Sequence, residues 1–371
     1  MTITVSIQTI YTMKKIFLFL AAASLVGMAA CNKADGLKSS LPEEQGEGVI
    51  TFSFTPADGD APTTRAVTAY TTAQTYETQV NKVQVFVFNS DGKIAAYLNN
   101  GTSLTGSIST TAGAKTVWAV VNGPTLSSIG TLSALQSTVV DLSANSTTAS
   151  TGFVMAGSGN CTVTGSGSVP CNFSVSRLVS RVALVSVTNS LPASYGALKV
   201  ERVFLSNVVG NQNIAGTASP STWYNKDGVA DEATRNAAHI IDGSTYQASC
   251  PTLTFKSVAQ NVASAASYAP STPLLFYGYP NNSTVAPAGF ASTFSAKRTV
   301  LTVVATVDSQ VQYYPVVLDN AVLERNKTYT VGLTITGPGA SDPDKPVEKG
   351  SISVTISVAG WTAGATYDET I

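Results

Sequence analysis

The residues that could do chemistry are few, and their spacing argues against catalysis. The one histidine, His239, lies in DEATRNAAHII (Asp231–Ile241), with Asp242 three residues further on. One imidazole and one carboxylate do not make a metal site. A Ser-His-Asp relay would have to use this histidine, and the chain holds no G-x-S-x-G turn to present a serine. His239 therefore reads as a structural residue on a short helix. Asp227, Asp231, Glu232 and Asp242 form a loose carboxylate group without calcium-loop spacing, and they read as a solvated face. No glycine loop that cradles phosphate follows a strand. Catalytic residues, a metal and a cofactor are all unexpected.

The cysteines carry a different chemistry. Lys14 and Lys15 precede the apolar run Ile16–Val26, which is too short to span a bilayer, and small residues lead to Met28-Ala29-Ala30-Cys31. This is the layout of a signal peptide, residues 1–30, with Met13 as the expected start. The cysteine sits at the cleavage point in a pattern that resembles a bacterial lipobox, so Cys31 is the expected lipidation site. Asn32–Gly48 then serves as a polar tether. Cys161 and Cys171 bracket TVTGSGSVP, a glycine-rich turn between two strand-like stretches. An envelope compartment permits a disulfide there, and the sequence leaves bonded and free thiols equally open. Cys250 reads as a small buried apolar residue.

The elements around these residues are strands. In GSISVTISVAGW (Gly350–Trp361), Ile352, Val354, Ile356 and Val358 alternate with serine and threonine. VITFSFT (Val49–Thr55) carries the same pattern on Ile50, Phe52 and Phe54. Period 2 gives each strand one apolar face. Between the early strand and the rest lies Arg65, in the polar loop ADGDAPTTRA. A cut between Arg65 and Ala66 would free the early strand, and the late strand of another copy could take its place.

Composition agrees with this picture. Of 371 residues, 44% are hydrophobic, enough for buried cores, and only 12% are charged, with a net charge of −1. That is about half the usual charged share. No basic block is present to bind nucleic acid. Long amphipathic helical patterns are absent, and short strands with turn signals recur. VNKVQVFVFNSDGK (from Val80) is apolar on both faces and ends in a hairpin turn. TVWAVV (Thr116–Val121), with Trp118 as core, is a further buried strand. A short helix is expected within Leu126–Leu142, short strands at Gly152–Met155 and Val163–Val169, and one long strand over Phe173–Val187. The break Asn189-Ser190-Leu191-Pro192 marks a domain boundary. Strands follow at Leu198–Val209, Leu274–Tyr279, Thr299–Val307, Val311–Leu318 and Tyr329–Thr336. The expected class is all-β, with two tandem transthyretin-like sandwiches. Residues 31–65 form a lipidated propeptide holding the early strand, residues 66–188 the first sandwich, and residues 189–371 the second with its late strand.

Several stretches together resemble the major fimbrillins of Bacteroidales, the type V pilins. They are Gly48–Ala66, KVQVFVFNSDGK (Lys82–Lys93), SRLVSRVAL (Ser176–Leu184) and, most specifically, Leu323–Trp361. The resemblance implies a lipid-anchored precursor in the outer membrane that reaches the surface and is cut by an arginine-specific protease, here after Arg65. It implies loss of the displaced strand (Ile50, Phe52, Phe54) and entry of a neighbour's donor strand (Ile352, Val354, Ile356, Val358, Trp361). The expected partners are further copies of the chain joined head to tail, other pilus subunits and the protease, in a surface fimbrium that supports adhesion. Burying four aliphatic side chains of the donor is worth roughly 6–12 kcal/mol before association costs. Two other readings stand beside this one. One is a carbohydrate-binding surface lipoprotein with Trp223 and Tyr224 as an aromatic platform. The other is a pilus anchor or tip subunit.

Overall fold

Alternating apolar and hydroxylic residues leave this chain little choice but sheets, and the fold is all-β. The computed structural model describes residues 46–57, 70, 72–225, 251–285, 296–318, 323–343, 345–348, 350–360 and 366–369. The signal segment, Cys31, Arg65, Ala66, the Asp227–Asp242 region with His239, Cys250 and Trp361 lie outside them.

The first half contributes β1 (Glu47–Pro56), β2 (Val83–Asn89), β3 (Ile94–Asn99), β4 (Thr105–Thr111), β5 (Gly113–Val121), β6 (Val139–Asp141), β7 (Met155–Val163) and β8 (Ser168–Arg177). All but β6 join one seven-stranded sheet in the order β3-β2-β5-β7-β8-β1-β4. The sheet folds over where β7 hands on to β8. Val83, Val85, Val87, Val117, Ala119 and Val121 on one arm and Ile50, Phe52, Phe54 and Ile108 on the other then enclose a common core. The opposite face of β2 and β5 is also buried. Phe86, Phe88, Trp118 and Val120 belong to the larger core of the second half. That explains why both faces of VQVFVF are apolar.

The second half contributes β9 (Ser180–Asn189), β10 (Leu198–Ser206), β11 (Val208–Val209), β12 (Asn211–Asn213), β13 (Trp223–Tyr224), β14 (Phe255–Val262) and β15 (Ser267–Tyr268). It continues with β16 (Leu274–Gly278), β17 (Val300–Val307), β18 (Gln310–Val317), β19 (Lys327–Ile335), β20 (Ile352–Gly360) and β21 (Thr366–Glu369). One sheet runs β14-β10-β17-β18. Another runs β15-β9-β19-β20-β21, with β16 also on β9, and β11-β13 and β12-β6 are short pairs.

Three sequence expectations need correction. Phe173–Val187 is not one strand. It divides at Leu178-Val179 into β8 and β9, which belong to different sheets. The change of sheet therefore comes before the break at Asn189–Pro192. The expected strand at Val163–Val169 is mostly the turn of the β7–β8 hairpin. The true strand β7 was hidden because its inward positions include Gly157 and Gly159, which leave no apolar alternation to read. A side chain at Gly157 would collide with the backbone at Ser174, and one at Gly159 would meet the Phe173 ring. Leu198–Val209 is interrupted at Asn207, whose φ of 52° ends β10. The helix expected within Leu126–Leu142 is Leu132–Ser137, started by the Thr131 hydroxyl accepting from the Ala134 N–H.

Candidate functional site

The early strand is an interior strand. β1 lies antiparallel to β4 over seven residue pairs and parallel to β8 over eight. Ile50, Phe52 and Phe54 point into the core and are essentially unexposed. The Phe52 and Phe54 rings stack at 4.7 Å, and Phe54 meets Phe173 at 4.6 Å. Gly106 is the ladder partner of Phe52, and a Cβ there would stand 2.7 Å from the ring tip. The glycine thus makes room for the phenyl group. On the outer face Thr55 shares a hydroxyl–hydroxyl bond with Ser174, and the Ser53 N–H donates to Asn172 Oδ1. Burying the three apolar side chains is worth roughly 5–9 kcal/mol. Lifting β1 out would leave β4 and β8 as two facing, unpaired edges with an apolar floor.

Past Pro56 the chain is pinned once more, at Ala57. Its N–H donates to Val175 O (2.7 Å), and its carbonyl accepts from Asn326 Nδ2 (3.3 Å). The arginine loop then lies within residues 58–69, outside the described residues. The chain is pinned again at Tyr70, whose N–H donates to Thr330 Oγ1 and whose carbonyl accepts from Arg181 Nη2 at 2.8 Å.

What holds the segment after the loop is a buried ion pair. Glu77 sits in the one-turn helix α1 (Thr75–Thr78), where it and Gln74 form a reciprocal cap. Arg181 Nη1 lies 2.8 Å from Glu77 Oε2, and both side chains are fully buried. Arg181 also donates from Nε to Thr328 Oγ1, from Nη1 to Thr72 O and from Nη2 to Tyr70 O, and it lies over the Tyr70 ring at 5.2 Å. The Tyr277 hydroxyl donates to Glu77 Oε1 (2.6 Å), and Arg177 Nε donates to Glu77 O. Burial first, and then the neighbouring Glu77 charge, push the Tyr277 hydroxyl well above the usual phenol value. A buried ion pair is tolerable only when its remaining donors and acceptors are satisfied, and here the polar groups around it do so. These two arginines lie in SRLVSRVAL. Their signal was two guanidiniums inside an otherwise apolar run, which demands a buried partner. The partner is more than a hundred residues upstream, so the sequence alone did not reveal it.

The late strand lies in the second half, on the sheet that runs β15-β9-β19-β20-β21. Ile352, Val354 and Ile356 do form one buried face, with Val358 partly buried beside them. That face packs on the core of its own chain. β20 pairs with β19 over nine residues and with β21 over four. In this structure β20 is part of the core of its own subunit. The hairpin β20–β21 forms the edge of its sheet, so it is held to the rest of that sheet through β19.

Cys161 is half-buried, Cys171 is buried, and both are free thiols. Trp223 and Tyr224 are half-buried and pack on the larger core, with the Tyr224 hydroxyl on the Asp141 carboxylate. They do not stand out as a flat platform.

Comparison with known proteins agrees with this architecture. Residues 49–173, from β1 into β8, match the family described as Major fimbrial subunit protein (FimA). No curated protein matches the chain. Among solved structures, a fimbrilin from Porphyromonas gingivalis superposes with a TM-score of 0.56 at 15% identity, covering 85% of this chain and 98% of that one. A cell-adhesion candidate from Bacteroides eggerthii gives 0.59 at 19% identity, covering 87% and 98%. One from Parabacteroides distasonis gives 0.59 at 16%, covering 86% and 98%. At these identities the likeness is one of fold. The resemblance to the major fimbrillins is borne out by the matched segment, which takes in β1 from Val49 onward.

Proposed function

We propose that this chain is the stalk subunit of a surface fimbrium. It is made as an outer-membrane lipoprotein on Cys31, cut by an arginine-specific protease between Arg65 and Ala66, and joined head to tail by strand exchange. It acts as a structural protein of adhesion and not as an enzyme. Its partners are further copies of itself and other pilus subunits. The two halves, which meet near residues 178–189, serve as two sandwich domains.

One observation carries this reading. β1 is bound on both sides, and on its C-terminal side it continues into residues 58–69, which hold Arg65, while the segment beyond is locked down by Arg181 and Glu77. A single cut there parts β1 and the residues before it from the rest of the chain. The vacated groove offers seven pairs along β4 and eight along β8, against the nine and four that β20 makes at home. Ladder hydrogen bonds are thus close to balanced between the two positions. A donor gains nothing while β1 is in place, so the cut is the committing step. Groove and donor are different surfaces of the molecule, and such a contact propagates instead of closing.

The test is to convert Arg65 to Ala. The expected product is a folded, lipid-anchored monomer that forms no ladder on unheated gels. Fibres of normal length from Arg65→Ala would end the proposal.

A further inference from the structure

The β7–β8 hairpin is built to part. Its strands share ladder pairs only at Met155–Arg177 and Ala156–Ser176. Beyond these, β7 runs along β5, and Ser168–Val175 of β8 has β1 as its ladder partner. Departure of β1 removes that ladder and the Phe54 ring from Phe173.

Two thiols face each other across the parting strands. Cys161 lies six residues after Met155, and Cys171 lies six before Arg177, so they come level along the hairpin. The inward positions of both strands are the odd-numbered ones, so both thiols face one core. The glycines at 157 and 159 keep the strands in close approach on the way to the thiols. The neighbouring Cys161 thiol is among the groups that push the Cys171 thiol up. The ladder partner of Cys161 is Lys115, which is buried.

We infer that Cys161 and Cys171 are a redox staple, oxidised to a disulfide that holds the outer part of β8 on β7 when β1 is absent. The half-buried Cys161 is the group an oxidant can reach. Burial pushes the Cys171 thiol up to about 12, which makes it the poorer first nucleophile. The Cys161 thiolate attacks a dithiol–disulfide oxidant of the envelope, forming a mixed disulfide and displacing one thiolate. Cys171, giving up its proton, then attacks the Cys161 sulfur and displaces the second. Two thiols lose two protons and two electrons, and the oxidant's disulfide becomes two thiols. The importance of the staple rests on the proposed loss of β1. The bond itself does not.

Oxidised glutathione is the probe. The intact chain is incubated with it, free thiols are alkylated, and peptides are mapped by mass spectrometry. A linked 161–171 peptide is expected. Separate alkylation or separate glutathionylation of the two cysteines overturns the inference. Cleaved, β1-free chain is then compared by hydrogen exchange in oxidised, reduced and Cys161→Ser forms. Exchange over Ser168–Val175 should be slower in the oxidised form by on the order of tenfold or more. Equal exchange in all three overturns the staple. If β1 stays bound after the cut, the proposed function fails, and the mapping alone decides the disulfide.

Discussion

Arg181 Nη1 stands 2.8 Å from Glu77 Oε2, with neither side chain exposed. This contact ties a strand of the second half to the segment that would become the mature N-terminus. Removing one partner leaves a buried charge alone, at a cost of about 3–5 kcal/mol. Arg181→Met and Glu77→Gln should each lower the urea midpoint by that equivalent. The double variant should cost less than their sum. Losses under about 1 kcal/mol in either single variant would show that the pair does not hold the segment.

Gly106→Ala separates the two occupants of the groove. The added methyl falls 2.7 Å from the Phe52 ring tip. It should destabilise the uncut chain by about 1–3 kcal/mol, as overpacking does. A donor strand presenting valine or isoleucine there leaves more room, so assembled fibres should melt as the unmodified ones do. Thermal unfolding of the two forms checks this. An equal loss in both would mean that the groove keeps an aromatic occupant.

Val354→Asp and Thr355→Asp should differ even before assembly. Val354 is buried in its own core, whereas Thr355 is half-buried on the other face. The aspartate at 354 costs several kcal/mol and should weaken the monomer itself. Circular dichroism with urea titration would register a lowered midpoint for Val354→Asp and a small change for Thr355→Asp. Equal midpoints would remove β20 from the core described above.

Much of this was legible because period 2 is a strong signal where strands face a core on one side only. Ile50, Phe52 and Phe54, and Ile352, Val354 and Ile356, could be read directly as buried faces. What period 2 cannot tell is which sheet a strand joins, and so the pairing of β20 with β19 was not legible. β4 was overlooked because TGSISTT holds only Ile108 as an apolar residue, yet it forms one wall of the groove. The Arg181–Glu77 pair was invisible because a salt bridge between distant segments leaves no local pattern. Asn326, whose side chain holds both Ala57 and Arg177, gives no sign of these contacts in its local sequence.

Alkaline stability should report on Cys171. Its thiol is raised from the ordinary 9.0 to about 12 by burial and by Cys161. Between those values the folded chain keeps a proton that the unfolded chain has lost. Stability contributed by this group is complete below about 9 and declines as pH rises towards 12. Lys115 works in the opposite sense, since burial lowers its pKa and rising pH relieves a buried ammonium. Cys171→Ala leaves Lys115 unchanged, so the comparison isolates the thiol. The reduced parent should lose urea stability more steeply above pH 9 than Cys171→Ala. Parallel profiles would show that the thiol does not stay protonated in the fold.

The central claim is that β1 leaves when the loop at Arg65 is cut. N-terminal sequencing of subunits sheared from cells as fibres tests it most directly. The account predicts a single terminus at Ala66, with β1 absent from the polymer. A polymer whose subunits begin at a lipidated Cys31, or still contain Ile50, Phe52 and Phe54, would contradict it.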